Sequence, residues 1–351
     1  MLKPNQPLAI FMEENLGESE GKMGYGVMRY SPNPIACVID SCHAGKQVND
    51  VVDMPRNCPV VATVEEARAL GAEVLILGIA PTGGRLPEHW LAQLEKALQL
   101  DMSLANGLHD DLNAKFGHLL KDDQWIWDIR HPGEAPPITS ADAAKLDNKR
   151  VLMIGTDMAI GKMTAGLEIY RWVRDQGPHS TAFLATGQIG ITITGRGIPL
   201  DGIKIDHAVN AVSTLVTSAA DDHIVFIEGQ GSLLHARSSA TLALMRGSCP
   251  THFILCHRAG MEVLDQMPEV KVPDLNEFIK LNEDLASACG TFPRPKTLGI
   301  ALKTSHLSDQ EARTAIVELE QQTGLPVEDV VRFGSEKLGS LLIEQSLDPK
   351  V

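Results

Sequence analysis

At 351 residues the chain is about twice the length of a usual single domain, so two domains, each with its own core, are expected. Lys and Arg number 31 against 45 Asp and Glu, and the net charge of −14 argues against a nucleic-acid or anionic-membrane surface and for small-molecule partners. No run approaches the roughly 18 apolar residues of a membrane span, and the opening MLKPNQPLAIFMEEN lacks the order of a signal peptide, so a cytoplasmic protein is expected.

The six cysteines, at 37, 42, 58, 249, 256 and 289, form no CxxC and stand beside no HxxxH, so they read as mostly reduced and buried, with no metal site. A homo-oligomer is the expected assembly.

The first half alternates short apolar runs with helical stretches, which suggests parallel βαβ units. Strands are expected at PLAIFME (7–13), PIACVID (34–40) and PVVA (59–62). The helix-like TVEEARALG follows, with Thr63 and Glu66 at capping-box spacing and Gly71 as its end. The strand EVLILGIA (73–80) then runs into the turn-rich PTGGRLP and a helix from about Glu88 to Leu100, its apolar face made by Leu91, Leu94, Ala97 and Leu98. The Gly83-Gly84-Arg85 loop therefore lies at a strand's carboxyl end, where open parallel sheets bind ligands; a plain tight turn reads equally well.

Between Asp128 and Asn148 the chain becomes dense in Pro and small residues and reads as a linker. The expected division is an N-terminal domain at 1–135, a linker at 136–148 and a second domain at 149–351. The second half restarts with RVLMIG (150–155) and continues through STAFLATG, HIVFIEG, THFILCH and KTLGIALK, five apolar strands of another parallel sheet covered on both faces.

The strongest motif is Gly155-Thr156-Asp157-Met158-Ala159-Ile160-Gly161-Lys162-Met163-Thr164, between a buried strand and the helical run AGLEIYRWVRDQG. Glycines turn backbone N–H groups toward a phosphate, the helix N-terminus adds its positive dipole end, and the lysine adds a charge, which together define a P-loop. Two features depart from the usual pattern. Five residues separate the glycines, and Met163 stands where a Mg²⁺-ligating hydroxyl normally follows the lysine, with Thr164 next. A second element, HIVFIEGQGSLLH (223–235), delivers Glu228 to a strand end in the place of a Walker-B acid. The loop ATGQIGITITGRG (185–197) contributes Thr186, Gln188 and Arg196 and is expected beside the phosphate loop, or as a plain hairpin-like connection.

At these residues the sequence resembles the D-glutamate N-acetyltransferases of the DgcN type, a P-loop domain family. The likeness is carried by GTDMAIGKMT, ATGQIGI, EGQGSLLHARSSATLALMRGS and FILCH, and in the first half by CVIDSCHAGK and LILGIAPTGGRLP. The phosphate loop is more distantly similar to that of dethiobiotin synthetases. The resemblance implies a Rossmann-like N-terminal parallel-sheet domain, a P-loop NTPase-like C-terminal one, and acetyl transfer from acetyl-CoA to the amine of D-glutamate in D-amino acid catabolism.

Such a reaction needs a base for the amine, for which Glu228 and His235 are the first candidates and His207, His252 and His257 weaker ones. The acceptor's two carboxylates point to Arg237 and Arg258, with Arg196, Arg85 and Gln188 from other loops. Three readings remain open: the acetyltransferase, an ATP-dependent carboxylate ligase of the dethiobiotin synthetase type, and a non-enzymatic nucleotide-sensing module. Met163 disfavours a requirement for ATP or Mg²⁺.

Overall fold

The computed structural model describes every residue except 1, 82, 132, 134–136, 139, 140 and 345–351, so part of the expected linker and one residue of the PTGGRLP loop lie outside the described residues. The chain divides into two compact units, one of Met1–Gly133 with Gln188–Gly202, the other of Glu134–Gly187 with Ile203–Val351.

The first unit runs through strands β1 (Leu8–Phe11), β2 (Ile35–Ile39), β3 (Val60–Val61), β4 (Val74–Leu77), β5 (Ser103–Asn106) and β6 (Ile126–Asp128), with helices α1 (Lys22–Tyr30), α2 (Val64–Ala69), α3 (Leu91–Gln99) and α4 (Leu112–Phe116) between them. The strands pair in the order β3-β2-β1-β4-β5-β6, all parallel. That order is the doubly wound arrangement of dinucleotide folds, and β1, β4 and β5 are buried throughout, as a sheet with two covered faces requires. The Thr63 hydroxyl caps α2 by accepting from the Glu66 N–H at 3.2 Å, and Gly71 follows the helix at φ +86°.

The second unit begins with β7 (Lys149–Gly155), α5 (Lys162–Gln176) and β8 (Thr181–Leu184). The chain then returns to the first unit for α6 (Gln188–Thr194), whose Gly190, Ile191, Thr192 and Ile193 are buried and which packs on α1. The segment 185–197 is thus not a hairpin-like connection, and from Gln188 it leaves the second unit: its QIGITIT stretch is helical despite five β-branched residues, because burial against α1 outweighs propensity.

Back in the second unit follow α7 (Ile205–Thr217), β9 (Ile224–Ile227), α8 (Thr241–Ser248), β10 (His252–Arg258), the antiparallel ribbon β11 (Val263–Leu264) and β12 (Met267–Lys271), α9 (Leu275–Ser287), β13 (Lys296–Lys303), α10 (Asp309–Thr323), β14 (Val327–Glu328) and α11 (Glu336–Glu344). The parallel sheet has the order β14-β13-β10-β7-β9-β8, which places β7 between β10 and β9. The five expected strands are present, with β14 added at one edge. All six cysteines are free thiols; four are buried, and Cys42 and Cys289 are exposed.

Asp128 organises the far edge of the first sheet. Its buried carboxylate accepts from Asn106 Nδ2 at 2.7 Å, from the N–H groups of Leu112 and Asn113 at 3.2 and 2.8 Å, and from Asn113 Nδ2 at 2.7 Å, so it joins β5, β6 and the start of α4. Asp128→Ala should destabilise the protein by about 3 kcal/mol or more, since each buried donor left unpaired costs about 1–3 kcal/mol. Asp128→Asn, which keeps an acceptor oxygen, should lose less, and denaturant midpoints of the two variants would check the order.

Candidate active site

The centre of the second sheet builds the phosphate loop. The Thr156 N–H donates to the Cys256 carbonyl of β10 at 3.2 Å, which carries the loop off the end of β7. Gly155 leaves the space that the loop folds into, for a Cβ there would lie 2.7 Å from Ile160 Cγ2 and 3.3 Å from Lys162 Nζ. Gly161 caps α5 from the left-handed region at φ +98°.

Lys162 is 4 % exposed, and its Nζ donates to the carbonyls of Asp157 and Met158 at 2.7 and 2.9 Å. Burial pushes this ammonium down to about 8, against the opposing pull of Asp157 and Glu228. Met163 and Thr164 are half-buried in the first turn of α5.

Glu228 stands one residue past Ile227 of β9, which lies in register with Leu152 of β7. It is 4 % exposed. Its Oε2 accepts from the Thr186 and Gly187 N–H groups at 2.9 and 3.2 Å, and the Thr186 hydroxyl donates to its carbonyl at 2.8 Å. Gly229 lets the two strand ends close: a Cβ there would sit 1.7 Å from the Met153 carbonyl oxygen and 3.0 Å from Lys162 Cδ. The lysine stem and the acidic strand therefore pack directly together.

His235, also buried, accepts the Arg237 N–H on Nδ1 at 3.2 Å, so the neutral ring carries its proton on Nε2 and acts there as a donor. His257 meets the Thr156 hydroxyl at 3.0 Å through Nδ1, and burial with the neighbouring Arg258 pushes it down to about 4. It is neutral at pH 7. His252, at the start of β10, is paired with the Thr251 hydroxyl, and His207 is half-buried near the start of α7.

The tip of the β11–β12 ribbon, unseen in the sequence reading, draws several expected residues together. The Asp265 N–H donates to Asp157 Oδ2 at 3.1 Å, and the Asp265 carboxylate takes both ends of the Arg258 fork, at 2.8 and 2.5 Å. That pairing holds Asp265 below the usual carboxylate range. Arg237 donates to Gln266 Oε1 at 3.2 Å. Asp157 thus fastens the ribbon to the phosphate loop, and both Nη groups of Arg258 are engaged by Asp265. The alternation VLDQMPEV was the available signal for the ribbon. A cavity of about 490 Å³ beyond β10 has His257, Met261, Lys271, Leu275, Leu302 and Leu319 in its wall. The expected residues Arg85, Gln188 and Arg196 belong to the other unit, where Arg85 is exposed and 3.8 Å from Asp110 and Arg196 follows α6.

Fold and site define a P-loop protein with a second, Rossmann-like unit. A profile described as "Domain of unknown function (DUF1611_C) P-loop domain" matches residues 137–339, and its Rossmann-like N-terminal counterpart matches 41–132; the chain belongs to the DUF1611 family. It is similar to a protein of Tritonibacter scottomollicae named D-glutamate N-acetyltransferase, 37 % identical over 79 % of this chain and 83 % of that one. A Pseudoalteromonas protein of the same name is 34 % identical over 78 % of this chain and 82 % of its own length. The crystal structure of a DUF1611 family protein from Anabaena variabilis matches with a TM-score of 0.91 and 42 % identity, over 96 % of this chain and 99 % of that one.

An ammonium lowered to about 8 makes phosphate binding depend on pH. An anionic ligand restores the proton, so binding of inorganic pyrophosphate at pH 8 should take up a fraction of a proton, and affinity should weaken as pH rises through the lysine's range. Calorimetry in buffers of different ionisation enthalpy measures the uptake. Lys162→Ala should remove it and weaken pyrophosphate binding roughly 10- to 100-fold, with the native circular dichroism spectrum retained.

Proposed function

We propose that the protein is a D-glutamate N-acetyltransferase that moves the acetyl group of acetyl-CoA to the amine of D-glutamate. The observation that carries this reading is a phosphate cradle, complete in Gly155, Gly161 and Lys162, with Met163 in the place of the Mg²⁺-ligating hydroxyl. Such a loop suits a pyrophosphate that must be held and not cleaved. The names of the two curated relatives support the same activity.

In this reading Gly155, Thr156, Asp157, Gly161, Lys162, Met163 and Thr164 form or brace the phosphate site, and the cavity beyond β10 takes a neutral part of the donor. The amine nitrogen attacks the thioester carbonyl carbon, its proton passes to Glu228, the C–S bond breaks, and the departing thiolate is protonated. The proton taken by Glu228 passes on to that thiolate, and His235, a donor at Nε2, suits a hydrogen bond to the departing sulfur better than proton abstraction. Arg237 is the preferred carboxylate contact in the second unit, since both Nη groups of Arg258 are already on Asp265. No helix among the described residues is long and apolar enough to cross a membrane, and a cytoplasmic homo-oligomer acting in D-amino acid catabolism is part of the proposal.

The deciding assay is thiol release from acetyl-CoA with D-glutamate, with L-glutamate as control, with and without EDTA and ATP. Release should persist with EDTA and without ATP, because the thioester already carries the activation. Release only with Mg-ATP would favour the carboxylate ligase, and nucleotide binding without turnover the sensing module. Glu228→Gln should slow transfer about a hundredfold or more while donor affinity stays within a few fold, the usual size of a lost general base; equal rates would move the role away from Glu228.

A further inference from the structure

At the carboxyl ends of β4, β5 and β6 the first unit gathers residues from three successive loops. Arg130, two residues past β6, has a side chain only 11 % exposed. Its Nη1 meets Nε2 of His109, from the loop after β5, and its Nη2 lies 3.2 Å from Asp201 Oδ2. Its Nε is buried and has no hydrogen-bond partner among the described residues. Gly84, after β4, closes over the pair at φ +62°, and a Cβ there would lie 2.4 Å from His109 Cδ2 and 3.1 Å from Arg130 Nη1. The His109 N–H ties the loops together by donating to the Gly84 carbonyl at 2.8 Å.

The chemistry of this group points to a carboxylate. The Nε and Nη2 atoms of an arginine share one edge, and a carboxylate on that edge makes two parallel bonds. Asp201 stands beside that edge as an ion pair, 3.2 Å from Nη2, and leaves the Nε proton unpaired, in a place where water does not reach it. Its side chain is 44 % exposed, on the short turn Leu200–Gly202, so it can swing away at little cost. Arg258 of the second unit shows the contrast, with both oxygens of Asp265 on its two Nη groups.

We propose that Arg130 is the anchor for a carboxylate of a dicarboxylic amino acid, and that Asp201 is an internal carboxylate that holds the place until the substrate displaces it. The choice of ligand class rests on the acetyl-transfer reading above. Arg85, 77 % exposed on the same loop as Gly84, adds positive charge to this end of the sheet.

A displaceable aspartate competes with the ligand, so its removal should strengthen binding, whereas an aspartate that merely steadies Arg130 would weaken it when lost. Calorimetry of D-glutamate on the full chain, without any acetyl donor, should give Asp201→Asn an affinity roughly tenfold tighter and Arg130→Gln one at least roughly tenfold weaker, with Arg130→Lys between them. Weaker or unchanged binding by Asp201→Asn overturns the proposal, and that variant decides alone if Arg130→Gln fails to fold by its circular dichroism melt. Because the readout is binding, it separates the two readings. Acetyl transfer with D-glutamate affinity unmoved by both substitutions overturns the anchor and leaves the activity standing. Affinity changes of the expected signs in a chain that transfers no acetyl group support the anchor and overturn the activity.

Discussion

A lysine ammonium held at 4 % exposure, with two carbonyls of its own loop as acceptors, requires every neighbour to make room at the same time. Gly155 and Gly229 supply that room, because a side chain at either would strike the lysine stem or the backbone opposite. The burial that lowers the lysine's affinity for its proton also removes competing water, so an arriving phosphate meets a dry, directed cation. The β7–loop–α5 junction and the approach of β9 to β7 both serve this one placement.

Around that centre the acidic excess of the chain is spent on holding bases in place. Asp265 closes the Arg258 fork while its own N–H is held by Asp157, so a two-stranded ribbon far along the sequence becomes a brace for the phosphate loop. Glu228 is gripped by two backbone N–H groups of the Thr186–Gly187 turn, which fixes the carboxylate beside the loop. His235 and His257 are each oriented through Nδ1 by a neighbour, and His257 remains neutral.

The first unit has the strand order of a dinucleotide fold without its glycine signature after β1, where the chain reads MEENLGESEG. Asp40, at the end of β2, is fully buried and accepts from the N–H groups of Glu14, Leu16 and Cys42 and from His43 Nδ1. In a ribose-binding fold that carboxylate would face the ligand; here it clamps its own loop. The unit's incompletely paired cation lies instead at the ends of β4 to β6, where Gly84, His109 and Arg130 meet.

Much of this was legible along the chain because its physics is local. Apolar runs of four to seven residues between glycines and prolines mark β1, β2, β4, β7, β9, β10 and β13, and the glycine, lysine and helix pattern of 155–164 carries the phosphate loop whatever surrounds it. Partnership across the sequence was not legible. Arg237 and Arg258 look alike as loop arginines, and only the folded ribbon gives one a full carboxylate partner and the other a single amide oxygen. The segment from Gln188 reads as a loop or hairpin-like connection, and its burial on α1 makes it a helix of the other unit. The sequence by itself determined the two parallel sheets and the phosphate loop, because strand burial and glycine conformation depend on neighbours a few residues away. Tertiary structure alone decided which charges are paired, because a hydrogen bond reaches about 3 Å in space and is indifferent to the hundred residues between its partners.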